Sequence, residues 1–381
     1  MRSKHLIRTF WITLVIAISV RTLLRPESHT VFPIFAQGSH HWWSNDPLYA
    51  DYAPLDYFRY PPLFAVLFTP FSLMGNALGG VVWSCLSVGV FLLGLRMLWA
   101  ALDQSRQQRS LFELLAGLGA LSGLWNAQSN ALIIGLILIG ASYLHRERWW
   151  LASFFLCLSV SLKLTSLPLL LLLLALWPRQ LLLRSLLFLL IGALIPFLTR
   201  PPDVVLSQYQ AWTQQMQELS SKRWPGFRDG WTVVVVIEHL WHGGEGLPDL
   251  KAPLHSMAYR IVQLFTAGLV LLWCFYLRRR GLSRNQILLG TLSMGSAWMM
   301  LLGPATEHPT YAFLSPFLAW AVLVDWPRGR LLIWTSAFLI LILGWRAVTA
   351  SLHATMPWLL LILPFGTLLF VVWLLCALPR K

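Results

Sequence analysis

Charge is what this chain has least of. Only 12% of its residues are charged, and only 15 of the 381 are Asp or Glu. A water-soluble domain carries about 25% charged residues. The deficit excludes one here, given 57% apolar residues and a mean hydropathy of +0.64. The chain reads instead as an all-α polytopic membrane protein, because long apolar runs satisfy their backbone in lipid as helices. Cysteine is also scarce. Cys85, Cys157, Cys274 and Cys376 all lie inside apolar runs. That placement suits small packing residues and excludes a disulfide framework or a thiolate metal site. There is no Walker loop, no GxGxxG after a strand, no GxSxG and no HExxH. No metal and no cofactor is expected. A cleavable signal peptide is not expected either, since the first apolar run is long and ends in Arg21 and Arg25, not in a small-residue cleavage site.

What the chain has is apolar runs punctuated by basic residues. A helix needs about 20 residues to span a bilayer. Runs of that kind are expected at 6–24, 77–101, 181–198, 257–277, 286–303, 331–350 and 358–378, with a shorter one at 309–324. Between 111 and 177, polar interruptions at 126–130, 145–148 and 163–168 predict four short helices in two hairpins. The stretch 63–73, broken by Pro70, is too short to span and reads as re-entrant or interfacial. The expected arrangement is one transmembrane domain over 1–381, with about twelve helices and long outer loops at 25–62 and 200–256.

The net charge of +14 decides orientation. With the N-terminus in the cytoplasm, the cytoplasmic loops and helix ends carry 17 Lys and Arg, while the other side carries 11 basic and 11 acidic residues. This satisfies the positive-inside rule with both termini inside the cell (inner) membrane. Basic residues spread as punctuation do not make a nucleic-acid surface, so no nucleic-acid partner is expected. The unusual polar residues then gather on the outer face. One polar surface over an apolar bundle suits a substrate with a lipid anchor and a polar head.

The most informative stretch runs from Asp46-Pro47-Leu48-Tyr49 to Asp56-Tyr57-Phe58-Arg59-Tyr60-Pro61-Pro62. Carboxylates beside aromatic rings suit sugar chemistry, and the planar fork of Arg59 suits a phosphate. Pro61-Pro62 holds Tyr60 extended and stiffens the entry to the next segment. The alternative is an interfacial aromatic anchor with a local Asp56–Arg59 pair. Asn126, Gln128 and Asn130 place carboxamides at bilayer depth, where they need partners; the alternative is a polar turn bonded to itself. Lys163 sits in an apolar run at a cost of about 2.5–3.5 kcal/mol. It either meets a phosphate or snorkels to an interface. The 200–256 loop, with four tryptophans and Arg228-Asp229-Gly230, either covers the site or lies on the membrane surface. Glu307-His308 follows Gly303-Pro304 and reads as an acid–base pair or as an exposed loop.

Taken together, these residues resemble glycosyltransferase family 87, bacterial membrane enzymes of the GT-C class similar to polyprenol-phosphate-mannose-dependent mannosyltransferases. The resemblance rests on Asp46-Pro47-Leu48-Tyr49 with Phe58-Arg59-Tyr60-Pro61-Pro62-Leu63, on Ala127-Gln128-Ser129-Asn130, and on Leu162-Lys163-Leu164 with a proline after it. It covers about 30–168, with weaker agreement over 303–316. It implies a GT-C-like bundle, a polyprenyl-phosphate sugar donor, a lipid or glycan acceptor and transfer at the outer face. It also implies a carboxylate base in the first outer loop. The family's acid after the first helix is missing, because Val31 stands there, and the proline near Lys163 is displaced to Pro168. The expected base is therefore Asp56, with Asp46 next and Glu27 a third choice. Arg59 and Lys163 are expected at the phosphate. Tyr60, Asn126, Gln128, Asn130, Arg228, Glu307 and His308 are the other expected substrate contacts. Two other classes remain open on the sequence: a transporter or flippase of a lipid-linked saccharide, and a catalytically inactive lipid-binding relative.

Overall fold

The computed structural model describes residues 2–28, 31–50, 52, 55–102, 104–105, 107–221, 232, 257–303, 306–324, 329–344, 359 and 361–378. Every regular element among them is helical. In chain order these are α1 (Arg2–Leu24), α2 (Val31–Ser44), α3 (Pro62–Leu73), α4 (Gly75–Ala101), α5 (Arg109–Trp125), α6 (Asn130–His145), α7 (Trp149–Leu162) and α8 (Leu167–Leu176). They continue with α9 (Pro178–Leu194), α10 (Pro202–Ser221), α11 (Met257–Arg279), α12 (Arg284–Leu302), α13 (Ser315–Leu323), α14 (Arg330–Ala337) and α15 (Ile362–Ala377). Among the described residues, four stretches are long and apolar enough to cross a membrane by themselves: Ile7–Leu24, Gly75–Ala101, Pro178–Leu198 and Met257–Arg279. The four short helices expected between 111 and 177 are present as α5 to α8, with breaks where the polar residues interrupt the run.

The chain forms two compact units. The first comprises Met1–Ser110, Gly123–Leu170 and Trp177–Leu219; the second comprises Leu111–Ser122, Leu171–Leu176 and Ser220–Lys381. In the first unit α4 packs on α1 and α6, α6 on α7, α7 on α9, and α2 on α3. Helices α4 and α6 meet backbone to backbone. A Cβ added at Gly94 would lie 2.5 Å from the Gly135 carbonyl oxygen, and one at Gly135 would lie 2.7 Å from that of Val90. In lipid, where no hydrophobic force draws helices together, such close approach supplies the packing. In the second unit α12 packs on α11 and α15, and α14 on α13 and α15. There α14 passes into a π-helical turn over Phe338–Leu343.

Two expectations need correction. The stretch 25–62 is not a loop throughout, because α2 occupies Val31–Ser44 and buries Phe32, Ile34, Phe35 and Trp42. At 14 residues it is shorter than a span, so a search for bilayer-length runs passes over it. Pro70 does not break α3 either. Proline cannot donate to the carbonyl four residues back. Here the Thr69 hydroxyl donates to that carbonyl, of Val66, at 2.7 Å. Within 200–256 the structure describes 200–221, which include α10, and Thr232; Trp224 and Arg228 lie outside the described residues.

Candidate active site

The site belongs to the first unit and starts from the turn after α2. Asn45 takes a left-handed conformation (φ 65°), and the Asp46 amide donates back to the His41 carbonyl at 3.0 Å. Asn tolerates that conformation better than most side chains. His41 Nδ1 donates to the Pro47 carbonyl at 3.0 Å, while Nε2 pairs with Gln37 at 2.8 Å. The loop then folds on itself. The Tyr52 hydroxyl donates to the Leu48 carbonyl (2.6 Å) and the Tyr49 hydroxyl to the Tyr60 carbonyl (2.9 Å). Burial pushes both phenols above their ordinary pKa, so they stay protonated donors. Phe58 is fully buried against Gly38 of α2, where a Cβ would come within 2.5 Å of its ring. Helix α10 closes over the loop: the Gln208 side chain accepts from the Leu48 amide (3.2 Å), and Trp212 Nε1 donates to the Arg59 carbonyl (3.4 Å).

Three motifs far apart in sequence meet here. The Tyr60 hydroxyl bonds the Ser129 hydroxyl at 2.9 Å. The Lys163 ammonium donates to Asn130 Oδ1 at 2.6 Å and lies 5.6 Å from the centre of the Tyr60 ring. Asn130 Nδ2 in turn donates to Gln128 Oε1 at 2.9 Å. Local geometry prepares each member. After α5 the chain turns with Ala127 left-handed (φ 53°) and the Gln128 amide bonded to the Gly123 carbonyl at 2.9 Å. Such a turn usually takes Gly. The conformation costs about 1–2 kcal/mol for a side-chain-bearing residue. Trp83 Nε1 holds the Ala127 carbonyl at 2.8 Å. Lys163 stands in the break after α7, extended at φ −150°, with its amide bonded to the Ser159 carbonyl. Tyr60 is wedged between the Phe35 and Phe64 rings at 4.8 and 4.3 Å.

Among the described residues, no carboxylate comes within ion-pair distance of Lys163. Its partners are a neutral carboxamide and a ring face. Asp56 is arranged differently. Its carboxylate accepts from the Tyr57 amide at 2.8 Å and from one Arg59 nitrogen at 3.3 Å, with both side chains about a quarter exposed. The charge of Arg59 is therefore matched locally, and that of Lys163 is not. Asp46 is exposed, Glu27 accepts from Asn76 at 3.0 Å, and Asn126 is half-buried in the turn.

Glu307 and His308 lie in the second unit. Glu307 caps the short 3-10 helix His308–Phe313. His308 Nδ1 pairs with the Ser122 hydroxyl at 3.0 Å and Nε2 donates to the Gly344 carbonyl, beside a small cavity lined also by Tyr311 and Leu341. Their visible bonds are those of a helix cap and a helix clasp. Sequence reasoning missed Gln208, and missed Arg21, which donates to the Trp125 carbonyl at 2.6 Å behind the 126–130 turn. An arginine at the end of the first apolar run was the signal for the second.

Fold and site define a class first: a helical membrane protein whose scarce polar side chains converge on a cation that has no carboxylate partner among the described residues. The family follows from comparison. The family model described as "Glycosyltransferase family 87" matches residues 58–304, more than half of the chain. The chain belongs to that family and is a membrane glycosyltransferase. The matched stretch includes Arg59, Tyr60, the 126–130 turn and Lys163; Asp46 and Asp56 precede it. No curated protein matches. Among solved structures the chain is similar to ArnT from Cupriavidus metallidurans bound to undecaprenyl phosphate. The two are 12% identical over 96% of this chain and 76% of that one, with a TM-score of 0.38.

Proposed function

We propose that this enzyme moves a hexose, mannose on the family resemblance, from a polyprenyl-phosphate donor to an acceptor hydroxyl on a lipid or glycan at the outer face of the cell membrane. The observation that carries the reading is Lys163. An ammonium in an otherwise apolar helical chain is costly and calls for an anion, yet its partners are Asn130 Oδ1 and the Tyr60 ring. A lipid phosphate supplies the charge this arrangement lacks.

The chemistry is substitution at the anomeric carbon. The acceptor oxygen forms a bond to that carbon as the bond to the phosphate oxygen breaks, and the phosphate leaves with the electron pair. Lys163 stabilises the charge that builds on the phosphate, which is the main electrostatic task of such a site. Asp56 takes the acceptor proton as general base, standing in for the acid absent at Val31. Protonation of Asp56 would release Arg59 from its counter-ion as the phosphate charge grows, so both steps favour departure. Gln128 and Asn130 hold Lys163 in place, and Tyr60 offers a ring edge to the sugar. The sequence orientation, twelve spans with both termini cytoplasmic, places this site on the outer side.

The test is transfer by the purified protein from radiolabelled polyprenyl-phosphate hexoses to candidate acceptors. Label should reach the acceptor from the lipid donor. Transfer from a nucleotide sugar, with none from the lipid donor, would overturn the proposal.

A further inference from the structure

Helix α10 carries a buried polar group without a partner among the described residues. Gln215 is 93% buried, and among the described residues neither its Oε1 nor its Nε2 has a hydrogen-bond partner. A buried carboxamide in that state is costly at both ends, so its presence needs a reason. Its place on the helix supplies one. Gln208 and Gln215 are seven residues apart, two turns, and so share a face. Trp212 and the fully buried Val205 belong to the same face. That face is the one packed on the 45–61 loop, through Gln208 to Leu48 and Trp212 to Arg59. Gln215 lies three residues beyond Trp212, about 4.5 Å further along the axis. It therefore follows the contact with Arg59, the residue paired to Asp56.

We propose that Gln215 binds the hexose of the lipid donor; this rests on the donor reading above. The chemistry selects a sugar over a phosphate. A phosphate only accepts, so it would pair the amide nitrogen and leave Oε1 unmet. Hydroxyls on neighbouring ring carbons both donate and accept, and satisfy the two ends of one carboxamide together. The rise along α10 from Trp212, which bonds the Arg59 carbonyl, to Gln215 is close to the width of one pyranose ring. Gln215 thus reads the sugar while Lys163 and Arg59 hold the phosphate.

The test measures binding of polyprenyl phosphate, polyprenyl-phosphate mannose and polyprenyl-phosphate glucose to the full-length protein and to Gln215→Leu, with Gln215→Met as a second apolar replacement. Both variants remove an unmet buried amide, so their unfolding temperatures should equal or exceed that of the unaltered protein. Affinity for at least one sugar-bearing lipid should fall about tenfold, as expected for loss of uncharged hydrogen bonds, while affinity for bare polyprenyl phosphate stays the same. Unchanged binding of both sugar-bearing lipids by a folded variant overturns the assignment. Equal loss for the bare lipid also overturns it, because the residue would then act on the phosphate or on the fold. If the unaltered protein binds none of the three lipids, the donor reading itself has failed, and Gln215 with it.

Discussion

Replacing Lys163 with methionine keeps most of the stem and removes the charge, and the structure lets the consequences be separated. Three terms act on stability. Removing a cation from an apolar setting returns at most about 2.5–3.5 kcal/mol. Losing the 2.6 Å bond leaves Asn130 Oδ1 unmet. Asn130 is only 1% exposed, so that orphan costs the full penalty, about 1–3 kcal/mol. The Tyr60 ring contact contributes about 0.5–2 kcal/mol. The terms oppose one another and nearly cancel, so Lys163→Met should stay folded with an unfolding temperature within a few degrees of the original. Donor binding has no such compensation. A hydrogen bond to a charged group is worth about 1.5–3 kcal/mol, so the Kd for the lipid should rise about 10- to 150-fold. Because the contact is to phosphate, bare polyprenyl phosphate should weaken by the same factor as the sugar-bearing lipid. The assay is lipid binding to purified protein alongside thermal unfolding. A folded Lys163→Met protein that binds both lipids as before would refute the phosphate assignment. A protein that fails to fold while its residual folded fraction binds normally would make Lys163 structural.

Asp56→Asn keeps the shape and removes the base, so transfer should fall about 10²–10⁴-fold with donor binding retained. Full transfer by Asp56→Asn, with loss in Asp46→Asn or Glu27→Gln, would move the base to one of those residues. Gly135→Val places a Cβ where the Val90 carbonyl oxygen is 2.7 Å away. That overpacking should cost about 1–3 kcal/mol, read as a lower unfolding temperature. In a cysteine-free background, Asp46→Cys should react with a membrane-impermeant thiol reagent in intact cells and Arg280→Cys should not; labelling at position 280 would invert the topology.

The sequence alone determined where most of the helices lie. In lipid every backbone group must be satisfied within the segment, so apolar run length translates almost directly into helix. That logic found α1, α4, α9 and α11, and the four short helices α5 to α8 between polar interruptions. It also pointed to the polar motifs, because carboxamides and ammonium groups at that depth are conspicuous for their cost. The Asp56–Arg59 pair was legible for a different reason: its partners are three residues apart, so no tertiary information is needed. Helix α2 escaped, since a short helix buried under aromatic rings has no bilayer-length signature.

Only the tertiary structure decided which motifs meet. The bond from Tyr60 to Ser129 spans 69 residues and that from Lys163 to Asn130 spans 33, and both depend on how helices pack. Packing also left Lys163, among the described residues, facing a neutral carboxamide and a ring. The case of Gln215 is the clearest. A glutamine on a polar helix is unremarked in sequence, because water would satisfy it. It becomes conspicuous only when α10 turns that face inward and removes the water, leaving a carboxamide that no other described residue satisfies.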